Sequence, residues 1–329
     1  MDDVITVDAL TKRFGELTAN DAVDLRVRPG QVVGLLGHNG AGKTTLVSQL
    51  VGLLRPDAGS VRVAGIDAVA EPAAARRSIA LQPQTQAPLE GLTPRLAIEL
   101  AGRLRGLGKP AAHAAAEEIA AELNIEAWLD QRALPDGAGI SGGVRRLAAF
   151  AMAAVAPTPL IVLDEPTNDV DASRRHRLWQ TVRRLGDEGT AVLLVTHHVI
   201  EAERVVDHLV VLDHGRVVGA GSPAQLRGGD SQLRLELRLH PEVQHDPSAL
   251  PDPLPFPVTR RLPDNRRTLL TIPEDAAASA VAWASRHHQD GEIEGYSLAP
   301  ATLEDAYLSL TDAAPSTSET SDELETTHA

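Results

Sequence analysis

Residues 37–45 read Gly-His-Asn-Gly-Ala-Gly-Lys-Thr-Thr, and no other stretch constrains the fold as tightly. Gly37, Gly42, Lys43 and Thr44 meet the spacing G-x-x-x-x-G-K-S/T. Glycines let the backbone curl so that successive N–H groups converge on one phosphate chain. At this spacing Lys43 reaches the β- and γ-phosphates and the Thr44 hydroxyl binds Mg²⁺. The flanks agree. Gln31–Leu36 is a short apolar strand running into the loop, and a helix starts near Thr45, adding the positive end of its dipole. Lysine occurs only at positions 12, 43 and 109, so Lys43 is not filler from a lysine-rich background. A glycine turn with a surface lysine is the competing reading, and the strand–loop–helix setting disfavours it.

The chain has 329 residues, room for a full α/β domain and a smaller one. It has no cysteine, which excludes disulfides and thiolate metal sites. The acidic start, Met-Asp-Asp-Val, has no apolar leader region, and the longest apolar run, Leu147–Ala156, is too short to span a bilayer. A net charge of −14 makes a nucleic-acid binder a poor fit. The arginine pairs at 76–77, 145–146, 183–184, 260–261 and 266–267 read as solvated or ion-paired faces.

Strands are expected at Val4–Ala9, Asp24–Val27 and Val61–Val63, and helices at Thr93–Leu107 and Ala111–Leu123. Leu160–Leu163 and Ala191–Val195 are unbroken apolar runs suited to strands buried on both faces of a parallel sheet, with a helix, Ser173–Leu185, between them. Leu209–Val218 is a strand–turn–strand. The fold expected is α/β: a P-loop NTPase core with a mainly parallel sheet, an inserted helical subdomain and a small C-terminal α+β domain. The boundaries are 1–226 for the nucleotide domain (helical part about 93–156), 227–231 for a linker, 232–311 for the C-terminal domain and 312–329 for a disordered acidic tail. In the C-terminal part, alternating Leu233, Leu235, Leu237 and Leu239 mark a one-sided strand. A proline-rich loop (Pro247–Pro257), a hairpin (Val258–Ile272), a helix (Asp275–His288), a strand (Ile293–Leu298) and a last helix (Leu303–Leu310) follow.

Three further stretches bear on chemistry. Pro159–Leu163 runs into Asp164-Glu165, where one carboxylate can hold Mg²⁺ and the next can polarise an attacking water. Ile140-Ser-Gly-Gly-Val144 precedes a helix and offers a hydroxyl and backbone N–H groups to a phosphate. Thr196-His197 follows a buried strand, at the sheet edge where α/β ligand crevices lie.

In this order and spacing, residues 4–226 resemble the nucleotide-binding subunit of an ABC transporter. The resemblance implies an ATPase whose turnover is coupled to transmembrane transport. It places Phe14, Gly37, His38, Asn39, Gly40, Ala41, Gly42, Lys43, Thr44, Thr45 and Gln84 at ATP, with the Phe14 ring against adenine. Glu165 becomes the catalytic base and His197 the switch histidine at the γ-phosphate. Thr44, Gln84 and Asp164 become the Mg²⁺ set. Ser141, Gly142 and Gly143 become the signature that closes on the ATP of a partner chain, and Asp171 ends the D-loop. Gln82 is the rival to Gln84 in the stretch before it. One phosphate loop and one signature per chain imply a head-to-tail pair, with itself or a similar subunit, on the cytoplasmic face of the membrane beside a permease.

Thr302–Thr311 is similar to the closing helix of daunorubicin-resistance-type exporters, which implies export of a drug or hydrophobic metabolite; an ordinary capping helix is the plainer alternative. The chain also departs from the family pattern. Val144 replaces the signature glutamine, Leu147 a basic residue, Leu96 a glutamate, Asp169 the D-loop glycine, and His38 a proline, read as a solvent-side change. A soluble translation- or repair-type ATPase, a nucleotide sensor and an importer subunit are the competing functions. The stretch Gln86–Ile98 is expected to present Leu89, Leu92, Leu96 and Ile98 to the permease. Trp128, Trp179 and Trp283 read as packing, and His287-His288 as a helix end.

Overall fold

The computed structural model describes residues 2–85, 89–134, 139–227, 232–239, 250, 253–264 and 267–312. The chain begins with an antiparallel hairpin, Ile5–Phe14 (β1) and Leu17–Val27 (β2). The sequence shows only the inner ends of these strands, because positive φ at Ala9 and Ala22 marks bulges that break the alternation. Val32–Leu36 (β3) enters the phosphate loop, and Lys43–Leu50 (α1) leaves it. Ala58–Val63 (β4) pairs with β1, and a short Ile66–Asp67 strand (β5) pairs with β4. Pro72–Arg77 (α2) leads into Ile79–Gln82 (β6).

The helical layer follows: Pro94–Leu104 (α3), Lys109–Leu123 (α4) and Gly142–Ala154 (α5). Thr93 caps α3 by accepting from Leu96 N, and Pro94 sits at its first turn. The helix stops short of the expected Leu107 because Gly106 takes a φ of 98°. Leu160–Asp164 (β7), Ala172–Asp187 (α6), Ala191–Thr196 (β8), Val199–Glu203 (α7), His208–Asp213 (β9), Arg216–Gly221 (β10) and Pro223–Leu226 (α8) complete the larger unit. Its main sheet has the order β10-β9-β3-β8-β7-β6, parallel throughout except for β10. β3, β7 and β8 are buried along their whole length, which is why they read as unbroken apolar runs.

The C-terminal part adds Gln232–Leu239 (β11), Arg260–Asp264 (β12), Arg267–Pro273 (β13), Ala277–Gln289 (α9), Ile293–Pro300 (β14) and Leu303–Asp312 (α10). Its antiparallel sheet has the order β12-β13-β11-β14 and a core of its own around Leu235, Leu237, Leu270, Ile272 and Trp283. The last helix packs elsewhere: Leu303, Tyr307 and Leu310 join the core of the larger unit, and a Cβ on Gly219 of β10 would stand 2.6 Å from Leu310. Helix α10 runs through Thr311 to Asp312, so Asp312, expected in the tail, belongs to the helix. Residues 228–231 of the expected linker, residues 247–249 and 251–252 of the 247–257 loop and the tail beyond Asp312 lie outside the described residues. No helix among the described residues is long and apolar enough to cross a membrane.

Candidate active site

A cleft of about 750 Å³ opens at the carboxyl ends of β3 and β7. Lys43, Thr44, Asp164, Glu165, Gln84 and Phe14 all line it, with Asn39, Gly40, Gly42 and Thr45. This is the edge where a parallel α/β sheet holds its ligand, because strand ends and helix N-termini meet there. The loop needs its glycines. Gly42 has a φ of 102°, and a Cβ there would lie 2.2 Å from the Ala19 carbonyl oxygen. A Cβ on Gly37 would lie 2.4 Å from the Leu212 carbonyl oxygen. Ala41 is buried beneath the loop.

Lys43 is buried, and its ammonium donates to the carbonyls of Gly37 (2.6 Å) and His38 (2.9 Å). Burial pulls its pKa below the usual lysine value, while Glu165 and Asp164 push the other way. Asp164, at the end of β7, is pushed up to about 6 by burial and then by the charge of Glu165, against the opposing pull of Lys43 and Arg146. Its carboxylate, the Thr44 hydroxyl and the Gln84 amide oxygen form a set of hard oxygen donors, which suits Mg²⁺.

Glu165 is buried and has a φ of 50°, a left-handed conformation unusual for a glutamate. Its side chain is fixed from β8. The Thr196 hydroxyl donates to Oε2 at 2.9 Å, the His197 backbone N–H donates to Oε1 at 3.0 Å, and His197 Nδ1 lies 2.6 Å from Oε1. His197 therefore meets Glu165 directly and does not itself line the cleft. The sequence places Thr196 at the crevice edge of the sheet but assigns its hydroxyl no partner; the structure makes it a positioning residue for Glu165. Asn20 is a second. Fully buried, it donates to Gly42 O at 3.2 Å and accepts from Gln49 at 2.8 Å, bracing the loop. The β1–β2 hairpin and the β9–β10 turn also line the cleft through Leu17, Thr18, Ala19, His214 and Gly215, none of which carries a motif.

The two candidate glutamines differ sharply. Gln84 is exposed and lines the cleft. Gln82 is fully buried and donates to the Arg146 carbonyl at 3.3 Å. Phe14 is 49 % exposed at the rim, with the Lys12 ammonium 5.5 Å from its ring centroid.

Ser141, Gly142 and Gly143 stand apart from this cleft at the N-terminus of α5. The Ser141 side chain caps the helix by accepting from Val144 N at 3.3 Å, which leaves its own hydrogen free to donate. A Cβ on Gly143 would lie 2.5 Å from the Asp169 carbonyl oxygen, so the signature and the D-loop are in close contact within one chain. Asp171 caps α6 by accepting from Arg174 N. Asp169 takes a φ of 65°, which explains why the family has glycine there and why aspartate is tolerated.

Several expectations need correction. Arg145 and Arg146 are not a solvated face. Both are buried; Arg146 donates to the Pro83 carbonyl at 3.1 Å and Arg145 to the carbonyls of Leu134 and Ile140. This ties α5 to the segment just before Gln84. Val144 and Leu147 fill apolar clusters. His38 is not simply on the solvent side: its Nε2 lies 2.9 Å from the buried Asp213. Within the stretch 86–98, residues 86–88 lie outside the described residues. Leu89 and Ile98 are buried and Leu92 packs against the helical core, leaving Leu96 exposed. Leu100 and Leu104 continue the exposed row from Leu96 at helical spacing along α3, Leu104 being 89 % exposed. Trp179 and Trp283 are buried, and Trp128 is packed under the Arg174 guanidinium at 4.4 Å.

Comparison with known proteins identifies the family and the fold. The family model "ABC transporter" matches residues 20–168. Daunorubicin resistance ATP-binding protein DrrA3 of Streptomyces coeruleorubidus is 37 % identical over 312 residues, which span 94 % of this chain and 96 % of that protein. Nod factor export ATP-binding protein I of Ralstonia nicotianae is 33 % identical over 311 residues, spanning 94 % of each. Among solved structures, an ATP-binding cassette captured as a dimer in a post-hydrolysis state with ADP and Pi superposes with a TM-score of 0.60. At 24 % identity, that match covers 66 % of this chain and 98 % of the other, and it shares the fold.

Proposed function

The chain belongs to the ABC transporter family as an ATP-binding, ATP-hydrolysing subunit that powers export, and on that premise we propose how its residues divide the work. The observation that carries the proposal is the single cleft that gathers Lys43, Thr44, Asp164, Glu165, Gln84 and Phe14. Phe14 stacks on adenine. Lys43 and the loop N–H groups hold the phosphates. Thr44, Asp164 and Gln84 hold Mg²⁺, which offsets phosphate charge when bound. Glu165, held by Thr196 and His197, accepts the proton of the attacking water. When a nucleotide fills the cleft, His197 exchanges its contact with Glu165 for one with the γ-phosphate.

Ser141–Gly143 lie outside this cleft, so they serve the ATP of a partner chain, and two chains pair head to tail. Residues 1–226 form the ATPase unit with a helical part near 93–156. Residues 232–311 form a second unit, strapped to the first by α10. A permease docks on the exposed α3 row, Leu96, Leu100 and Leu104, beside a groove of about 640 Å³ lined by Leu81, Pro83, Arg105 and Met152. That docking holds the subunit at the cytoplasmic face of the membrane. The relatives' names favour a drug or other amphipathic cargo. The test is reconstitution with the permease in vesicles. Anthracycline export should require ATP, vanish with Lys43→Ala, and fall with Leu104→Asp while hydrolysis by the free subunit persists. Export that survives Lys43→Ala would remove this chain as the power source.

A further inference from the structure

Where the phosphate loop meets the turn between β9 and β10, three side chains cluster to which the proposed hydrolysis assigns no chemical step. His38 Nε2 lies 2.9 Å from Oδ1 of Asp213, the last residue of β9. His214 follows, with Nδ1 3.8 Å from the same oxygen. The two rings meet edge to face at 5.2 Å. One ligand atom from each of the three residues lies within 4.8 Å of the others.

The tautomer of His38 can be read from its other nitrogen. Nδ1 lies 2.6 Å from the Asn39 carbonyl oxygen, which can only accept, so Nδ1 carries a hydrogen. A neutral ring then turns the Nε2 lone pair toward a carboxylate. Asp213 is only 4 % exposed, so water gives little relief. Nε2 is itself buried, and among the described residues it has no aligned hydrogen bond. Two lone pairs at this distance repel unless a cation relieves them. A proton on Nε2 would need an N–H pointing along the line to oxygen, and that alignment is missing. A metal ion sits off the line joining its ligands. Bonds of about 2.0–2.2 Å in tetrahedral geometry separate two ligand atoms by about 3.3 Å, between the two distances found here.

We propose that His38, Asp213 and His214 bind a borderline divalent transition ion, with Zn²⁺ the best match to two imidazoles and one carboxylate, and water in the open positions. The Asn39 carbonyl is the outer partner that orients a ligating imidazole. The frame is already set. Gly215 N–H donates to Ala41 O at 3.0 Å, which clamps the turn to the phosphate loop, and Asp21 N–H of β2 donates to Gly215 O at 2.8 Å. His214 has a φ of 45°, so its ring projects from a bent backbone. Bound metal pins the phosphate loop to the turn whose His214 and Gly215 line the nucleotide cleft. The site is therefore a point of control over ATP entry.

The test is Zn²⁺ calorimetry on the untagged, nucleotide-free full chain, with Co²⁺ absorption as a second readout. With no cysteine in the chain, no thiolate can contribute. Glu165, His197 and His198 form another close group and serve as the control. The expected result is micromolar or tighter binding that weakens at least about tenfold in His214→Asn and persists in His198→Ala. Asparagine accepts a positive φ, so His214→Asn should keep the turn; Asp213→Asn gives an independent reading if it does not. Absence of micromolar binding in the native chain, or loss in His198→Ala with retention in His214→Asn, overturns the proposal.

Discussion

The nucleotide cleft and the signature face show how differently one chain can treat what the proposed function makes two halves of a reaction site. In the cleft the reactive groups face one another: Lys43, Asp164 and Glu165 are buried together, and the pKa values of Lys43 and Asp164 are shifted by burial and by the Glu165 charge. At the signature, Ser141 is exposed and Gly142 and Gly143 half-exposed, and their contacts are a helix cap and the backbone of Asp169. One half is finished within the chain, whereas the other is shaped and left open. On the proposed function, groups that must act on each other sit together inside a single chain, while groups that must open and close sit on separate ones.

The largest effect should come from the finished half. Glu165→Gln keeps shape and removes the base, so turnover should fall at least ~100-fold while ATP still binds. Single-turnover phosphate release measures this, and near-native release would place the base elsewhere. Next is Phe14→Ala at the rim, which should weaken ATP by about 1–3 kcal/mol, with GTP weakened alike because stacking tolerates either base. Unchanged affinity by calorimetry would leave Phe14 without a nucleotide role.

Acidity probes the same half. Burial and the charge of Glu165 push the Asp164 pKa up to about 6, and the proposed Mg²⁺ role requires its ionised form. Mg²⁺ affinity in the presence of ATP should be flat above pH 7 and drop roughly tenfold per unit below 6, with proton release on binding. The same profile in Asp164→Asn would assign the titration to another group. The smallest effect is expected at Thr196→Val, which removes one hydrogen bond to Glu165. It should lower kcat several-fold with KM unchanged, in line with about 1 kcal/mol. A changed KM would make Thr196 a binding residue.

The cleft was far more legible in the sequence than the frame around it. Lys43, Thr44, Asp164 and Glu165 announce themselves because phosphate and metal chemistry demands those types at fixed spacing, and the apolar runs of β7 and β8 announce a buried parallel sheet. Thr196 and Asn20 carry no such spacing, and their value lies in which neighbour the fold brings within 3 Å or so. The β1–β2 hairpin was half hidden by its bulges. Arg145 and Arg146 misled because charge in a sequence reads as surface, whereas these two guanidiniums are buried on backbone carbonyls. The α3 row was displaced because Leu89, Leu92 and Leu96 look alike as letters, and only packing against Ile140 and Ala148 separates core from ridge.

If a second chain completes the open half, light scattering on Glu165→Gln with Mg-ATP will show it. Ser141 is the right residue to alter, because it is exposed, whereas any side chain at Gly143 would strike Asp169. Glu165→Gln should run as a monomer without nucleotide and as a dimer with Mg-ATP, and adding Ser141→Arg should return it to a monomer that still binds ATP. A dimer that forms without ATP, or one that is indifferent to Ser141→Arg, would contradict the account.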